Sequence, residues 1–139
     1  MVNLHVTYEG ELRCLAVHGP SDNRLFTDAP VDNKGRGETF SPTDLVGTAL
    51  GSCMLTVMAI ATGGRQPELK GTTVHVTKEM TTERPRRIER LSVRVTFPAE
   101  VSHTVPEATR RELENLAVNC PVRLSLSDAI DIPIEFTWQ

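Results

Sequence analysis

Three cysteines, Cys14, Cys53 and Cys120, are the side chains of this 139-residue sequence best suited to nucleophilic or redox chemistry. Three thiols cannot all pair within one chain, and their spacing contains neither Cys-X-X-Cys nor a His/Cys cluster of zinc-ligand form. A disulfide scaffold and a zinc site are therefore excluded, which leaves inert core thiols or reactive ones. Cys53 lies deep in an apolar run with helical features, where the helix dipole does little and apolar surroundings keep a thiol protonated. Cys120 precedes Pro121, a residue suited to the first helical position, so it falls at a predicted helix start where unpaired N–H groups favour a thiolate. Local sequence thus nominates Cys120 ahead of Cys53. Cys14, between Arg13 and Leu15, reads as a structural or surface thiol. His5, His18, His75 and His103 are isolated, and Gly35-Arg36-Gly37 lacks the flanking strand and helix of a phosphate cradle.

The elements that must position these thiols follow from periodicity. Leu4 to Val17 reads as a β-hairpin turning at Gly10, and a third strand is expected near Arg24 to Asp28. The stretch from Asp28 to Ser41 has neither helical nor strand period and is expected to be a loop. Ser41 as cap, Pro42 at the first position and Asp44 three residues after the cap start a helix that runs through Cys53 to Thr62 and stops at Gly63-Gly64. No charged residue follows Asp44 within it, so burial on nearly all sides is expected. Gly47 and Gly51 form a stripe that admits another backbone. We read that stripe as facing a second subunit near a dimer axis, the alternative cover being the chain's own sheet and second helix. Thr73 to Met80 and Ile88 to Phe97 alternate as half-buried strands joined by the arginine-rich loop 81–87. Glu107 to Asn119 is amphipathic, a short turn from Pro121 to Leu126 follows, and Ile130 to Trp138 closes the chain as a strand with Pro133 at an edge or bulge. The order is β-β-β-α-β-β-α-α-β, a single α+β domain over residues 1–139.

Composition narrows the function. With 39 % hydrophobic and 24 % charged residues the chain is globular rather than disordered, and a net charge of −3 offers no footprint for a polyanion, so nucleic acid is not expected as a partner. Gly, Ser and Thr interrupt the apolar helix and no aromatic belt flanks it, which argues against a membrane span. No cofactor motif is present. The N-terminal residues lack a basic region followed by an apolar stretch, so a reducing, cytoplasmic setting is the expectation.

Two segments carry a resemblance. Phe40-Ser41-Pro42-Thr43-Asp44-Leu45 followed by Ala49-Leu50-Gly51-Ser52-Cys53, and Asn119-Cys120-Pro121-Val122 with Ser125-Leu126, resemble the signature segments of the OsmC/Ohr family of thiol peroxidases, their cysteines 67 positions apart. The element order matches over nearly the whole chain. The resemblance implies antiparallel sheets wrapped around a long central helix in an intertwined homodimer. It implies that Cys53 is the peroxidatic thiol, that Cys120 resolves its sulfenate as a Cys53–Cys120 disulfide, that organic hydroperoxides are the substrates, and that a dithiol, in this family protein-bound dihydrolipoamide, restores both thiols.

Since the dipole cannot activate Cys53, a cation must. The family's arginine from the first hairpin falls on Arg13, with Arg24 and Arg36 in reserve. The family's glutamate, ten residues before the first cysteine, is replaced here by Thr43. Glu38 or Asp44 would have to substitute, although Asp44 is expected to be occupied in capping. The alternative function is a stress-associated or apolar-ligand-binding protein whose cysteines are structural.

Overall fold

The computed structural model describes residues 1–63 and 68–139. Its contacts divide the chain into two compact units, Met1–Val46 and Gly47–Gln139. It has the expected mixed α+β composition, with two three-stranded sheets.

In the first unit, β1 (Leu4–Gly10) and β2 (Arg13–His18) form the expected hairpin. Gly10, Glu11 and Leu12 all take positive φ at its tip, a conformation that glycine adopts without steric cost and that the tight reversal here demands of its neighbours too. β3 (Arg24–Asp28) pairs antiparallel with β2, placing Arg13 opposite Asp28 and Leu15 opposite Phe26. The loop after β3 contains a single 3-10 turn, Val31–Asn33, and closes on itself where the Asp28 amide donates to the Phe40 carbonyl at 3.1 Å. Ser41 and Asp44 then form the expected capping box. The Ser41 amide donates to the Asp44 carboxylate at 2.7 Å, and the Asp44 amide donates to the Ser41 hydroxyl at 3.1 Å.

The second unit begins inside α1 (Pro42–Thr62). Its sheet has the order β4-β5-β6, formed by Thr73–Met80, Ile88–Phe97 and Ile134–Trp138. Alternation places Val74 and Val76 opposite Val95 and Val93, and these face α1. The glycine stripe makes that approach possible. A Cβ on Gly51 would lie 3.2 Å from Val74 and 3.4 Å from Val76, and one on Gly47 would lie 3.4 Å from Val76. The stripe therefore packs on the chain's own sheet, contrary to the expectation of a second subunit there.

Only one side of α1 is buried, through Gly47, Leu50, Gly51, Met54 and Met58, while Thr48, Ala49, Ser52, Thr56 and Ile60 are exposed. Burial on nearly all sides does not occur within one chain, because three strands are too narrow to wrap a helix. Gly63, at φ +59°, follows the helix, and Gly64 lies outside the described residues.

β5 and β6 run parallel, which departs from the expectation of antiparallel sheets throughout. The connection between them holds α2 (Ala99–Ser102), α3 (Glu107–Val118) and α4 (Pro121–Ser125), and a crossover of that length brings the chain back in the same direction. α2 was not anticipated, and four residues following Pro98 offer too little periodicity to reveal it. β6 also starts later than Ile130. Asp131 makes an isolated bridge to Arg90, and Pro133, lacking an N–H, interrupts the ladder before Ile134. α3 buries Leu113 and Ala117 and meets the sheet at Trp138. Trp138 stacks on Phe97 with centroids 3.6 Å apart, and its indole N–H donates to Glu114 at 2.7 Å.

Candidate functional site

Cys53 and Cys120 arise from different elements of the second unit and come near each other. Cys53 sits on α1 at the margin of its buried stripe, next to the fully buried Met54, and is itself half-buried. Cys120 occupies the junction between α3 and α4. Pro121 cannot continue the bonding of α3 but begins α4 well, so Cys120 takes the extended N-cap conformation at φ −64°, ψ 151°. Its Sγ accepts the Arg123 amide at 3.5 Å, its side chain has no solvent exposure, and the Cys53 thiol is near enough to influence its ionisation. Both are free thiols.

Burial pushes the Cys120 thiol above its ordinary value, and the neighbouring Cys53 adds to the rise. The Arg123 and Val122 amides oppose it without prevailing. The expectation that a helix start would make Cys120 the readily ionised thiol is therefore reversed. Two amides of a five-residue helix do not offset complete removal from water.

Arg13, the predicted cation, belongs to the first unit and lies in a network of its own. Its Nε and Nη2 donate to the two oxygens of Asp28 at 2.7 and 2.8 Å, and Nη2 also donates to Glu38 at 2.7 Å. Its guanidinium lies 5.8 Å from the centre of the Phe26 ring. The Asp28 side chain is 1 % exposed and that of Glu38 61 %. The paired Arg13 guanidinium holds the Asp28 carboxyl below its ordinary range, and burial works against that shift without cancelling it. Arg13 is correspondingly held above its ordinary value, chiefly by Asp28 and then by Glu38.

Of the reserve arginines, Arg36 is ion-paired with Glu11 and Arg24 is exposed at the start of β3. Of the two carboxylates considered as substitutes for the glutamate absent at Thr43, Glu38 reaches Arg13, whereas Asp44 serves the capping box. Thr43 shares a hydroxyl–hydroxyl hydrogen bond with Ser41 at 3.1 Å. Asp28 was not singled out from the sequence. The signal available was its place at the end of β3, which antiparallel pairing sets opposite Arg13. Cys14 is half-buried in β2, facing Tyr8 and Thr27 across the sheet.

Among the described residues no three His, Cys, Asp or Glu side chains gather in an arrangement that could hold a metal ion. What the second unit does hold is a reduced dithiol with one buried and one half-open sulfur, an arrangement able to cycle between thiol and disulfide states.

Comparison with known proteins agrees with this architecture. The model of the OsmC-like protein family matches residues 35–135. A Psychrobacter arcticus protein whose name ties it to osmotic stress induction and the detoxification response is 40 % identical, with a TM-score of 0.87 over 98 % of this chain and 96 % of that one. An organic hydroperoxide resistance protein OsmC from Legionella pneumophila shares the fold at 12 % identity, TM-score 0.71, over 99 % and 96 % of the two chains. A Vibrio cholerae protein named for organic hydroperoxide resistance, with captopril in one of its active sites, does so at 14 % identity, TM-score 0.73, over 98 % and 90 %. No curated protein matches the sequence. With a family model covering well over half of its length and a close structural relative over nearly all of it, the chain belongs to the OsmC-like family.

Proposed function

We propose that this protein is a cysteine-based hydroperoxide reductase acting on organic hydroperoxides. The single observation that carries the reading is the nearness of two free thiols that lie 67 positions apart, close enough for Cys53 to influence the ionisation of Cys120. In the proposed cycle the Cys53 thiolate attacks the distal peroxide oxygen. An S–O bond forms, the O–O bond breaks, and the alkoxide leaves as alcohol after taking a proton. Cys120 gives up its proton and attacks the Cys53 sulfenic sulfur, forming a disulfide and releasing water. A dithiol, free or lipoyl-bound, reduces the disulfide by exchange through a mixed disulfide. The cation that the family resemblance assigns to this step is Arg13. The raised value of Cys120 suits its role, since a buried neutral thiol does not compete for peroxide and becomes reactive only toward a sulfur already beside it.

A second copy of the chain is the proposed partner. The outward side of α1, with Ala49, Ser52, Thr56 and Ile60, and an apolar face of the first sheet, with Leu4, Val6 and Tyr8 each at least 64 % exposed, give it surfaces to cover. The setting proposed is the reducing cytoplasm, where the thiols persist.

The test is thiol counting on the reduced protein mixed with cumene hydroperoxide. Two thiols per chain are lost and mass spectrometry finds a Cys53–Cys120 disulfide. Cys53→Ser consumes no peroxide, and Cys120→Ser turns over once and leaves a sulfenate open to trapping by dimedone. Retention of all thiols at stoichiometric peroxide would refute the enzyme and leave the apolar-ligand reading.

A further inference from the structure

We propose that the reductant enters the cycle at Cys53: in the oxidised protein an external thiolate attacks the Cys53 sulfur, and Cys120 is the thiol expelled. The inference rests on the reading above, in which the two thiols close as a disulfide, and adds which of the two sulfurs accepts the mixed disulfide. Exchange requires the incoming thiolate to approach one sulfur in line with the bond that breaks, so the sulfur under attack must be reachable from outside.

The two positions differ in that respect. Cys53 lies within α1 and keeps part of its surface in water, whereas Cys120 has no exposure at all. Cys120 is also held through both of its backbone groups. Its amide donates to the Ala117 carbonyl at 3.2 Å and its carbonyl accepts the Leu124 amide at 3.0 Å, so it is bonded to the end of α3 and to α4 at once. Leu113 and Ala117, on the same stretch of α3, are buried as well. Uncovering the Cys120 sulfur therefore means opening the α3–α4 junction, while Cys53 needs no such opening.

Leaving-group chemistry pulls the other way, since burial raises the Cys120 thiol and a less acidic thiol is expelled more slowly. That effect is worth less than about tenfold in rate per pKa unit, whereas a closed approach excludes attack altogether. The Arg123 amide, 3.5 Å from the Cys120 sulfur, offsets part of it by donating to the negative charge as it arrives. In the step itself a bond forms between the reductant sulfur and the Cys53 sulfur. The Cys53–Cys120 bond breaks, and its electron pair leaves on Cys120, which takes a proton. The second thiolate of a dithiol then attacks the reductant sulfur bound to Cys53, releasing the Cys53 thiolate and a cyclic disulfide, so two electrons pass from dithiol to protein.

The reduced full-length protein is oxidised separately with cumene hydroperoxide and with diamide, pulsed with 2-mercaptoethanol, quenched into N-ethylmaleimide with denaturant, and mapped by peptide mass spectrometry. At the shortest pulses the 2-mercaptoethanol adduct is expected on Cys53 and the maleimide on Cys120, in at least about tenfold excess over the reverse pattern. A second measurement covers an adduct that reverts before it is caught. Mixed disulfides with 2-mercaptoethanol are prepared on Cys53 in Cys120→Ser and on Cys120 in Cys53→Ser, and dithiothreitol is expected to release the label about 100-fold faster from Cys53. An adduct on Cys120, an even split or equal release rates overturn entry at Cys53 and leave the peroxide chemistry standing. Failure of cumene hydroperoxide, with diamide still closing the disulfide, overturns the peroxidase reading alone, because the diamide-oxidised protein still reports the point of entry. A protein that forms no Cys53–Cys120 disulfide with either oxidant overturns both.

Discussion

The two compact units use their apolar residues in opposite ways. In Gly47–Gln139 the helices α1 and α3 pack on one sheet, and every fully buried apolar side chain among the described residues lies between Leu50 and Cys120. In Met1–Val46 the buried side chains are polar, Thr27, Asp28 and Ser41, while Leu4, Val6, Tyr8, Leu25 and Phe26 remain exposed. The register explains the arrangement. Leu4, Val6 and Tyr8 stand opposite His18, Ala16 and Cys14, and Ala16 stands opposite Leu25, so the apolar side chains of the small sheet gather on one face. A three-stranded sheet without a packed face has little independent stability. The second unit thus carries its own core and the two sulfurs, whereas the first carries a charge network and an exposed apolar face.

Removing a core side chain separates the two units most sharply. Leu50→Ala, at a position with no exposure, is expected to cost about 2–5 kcal/mol in denaturant titration. Tyr8→Ala, at a side chain 64 % exposed, is expected to cost far less in a monomeric preparation. Comparable losses would mean that the first sheet has a core of its own.

Next in size is association. Val6→Asp places a charge in the apolar face of the first sheet, and light scattering is expected to show a shift from dimer to monomer with the Leu50 core intact. A monomeric wild type, or an undisturbed dimer in the variant, would break the assignment of that face to a partner.

The pH dependence of stability sharpens the contrast from both ends. Asp28 is held below its ordinary 3.8, so the stability it contributes is complete above that value and is lost as pH falls through the lowered one. Cys120 is held above its ordinary 9.0, so its contribution is complete below that value and is lost as pH rises through the raised one. Urea melts of the reduced protein are expected to weaken at both extremes. Asp28→Asn flattens the acid side and Cys120→Ala the alkaline side, and a variant that flattens the opposite limb would contradict the assignment.

The smallest effect belongs to the exposed pair Arg111–Glu107, one turn apart on α3 at 2.6 Å. Arg111→Ala is expected to change stability by less than about 0.5 kcal/mol, with Tm as the measure.

Much of this was legible in the residues. The strands Thr73–Met80 and Ile88–Phe97 stand where period-two alternation put them. The capping box at Ser41 and Asp44 formed as read, and Cys120 caps the helix that Pro121 begins. Each is a local effect, decided within a few neighbours by side-chain spacing, by a missing N–H or by a short side chain returning to the backbone. Arg13 was marked as the cation, but its main partner was missed, because Asp28 lies 15 positions away and only strand pairing brings it opposite.

The amino-acid order by itself determined where helices and strands begin, which residues cap them and which faces are apolar, since those depend on dihedral preference and periodicity. The tertiary structure decided that the Gly47–Gly51 stripe lies against Val74 and Val76, that β6 returns parallel to β5, and that Cys120 is driven toward its neutral form beside Cys53. The physical reason is that solvent exclusion and long-range pairing belong to the assembled surfaces. A thiol at a helix start is disposed to ionise by its local amides, and only the packing around it decides whether water remains to make that possible.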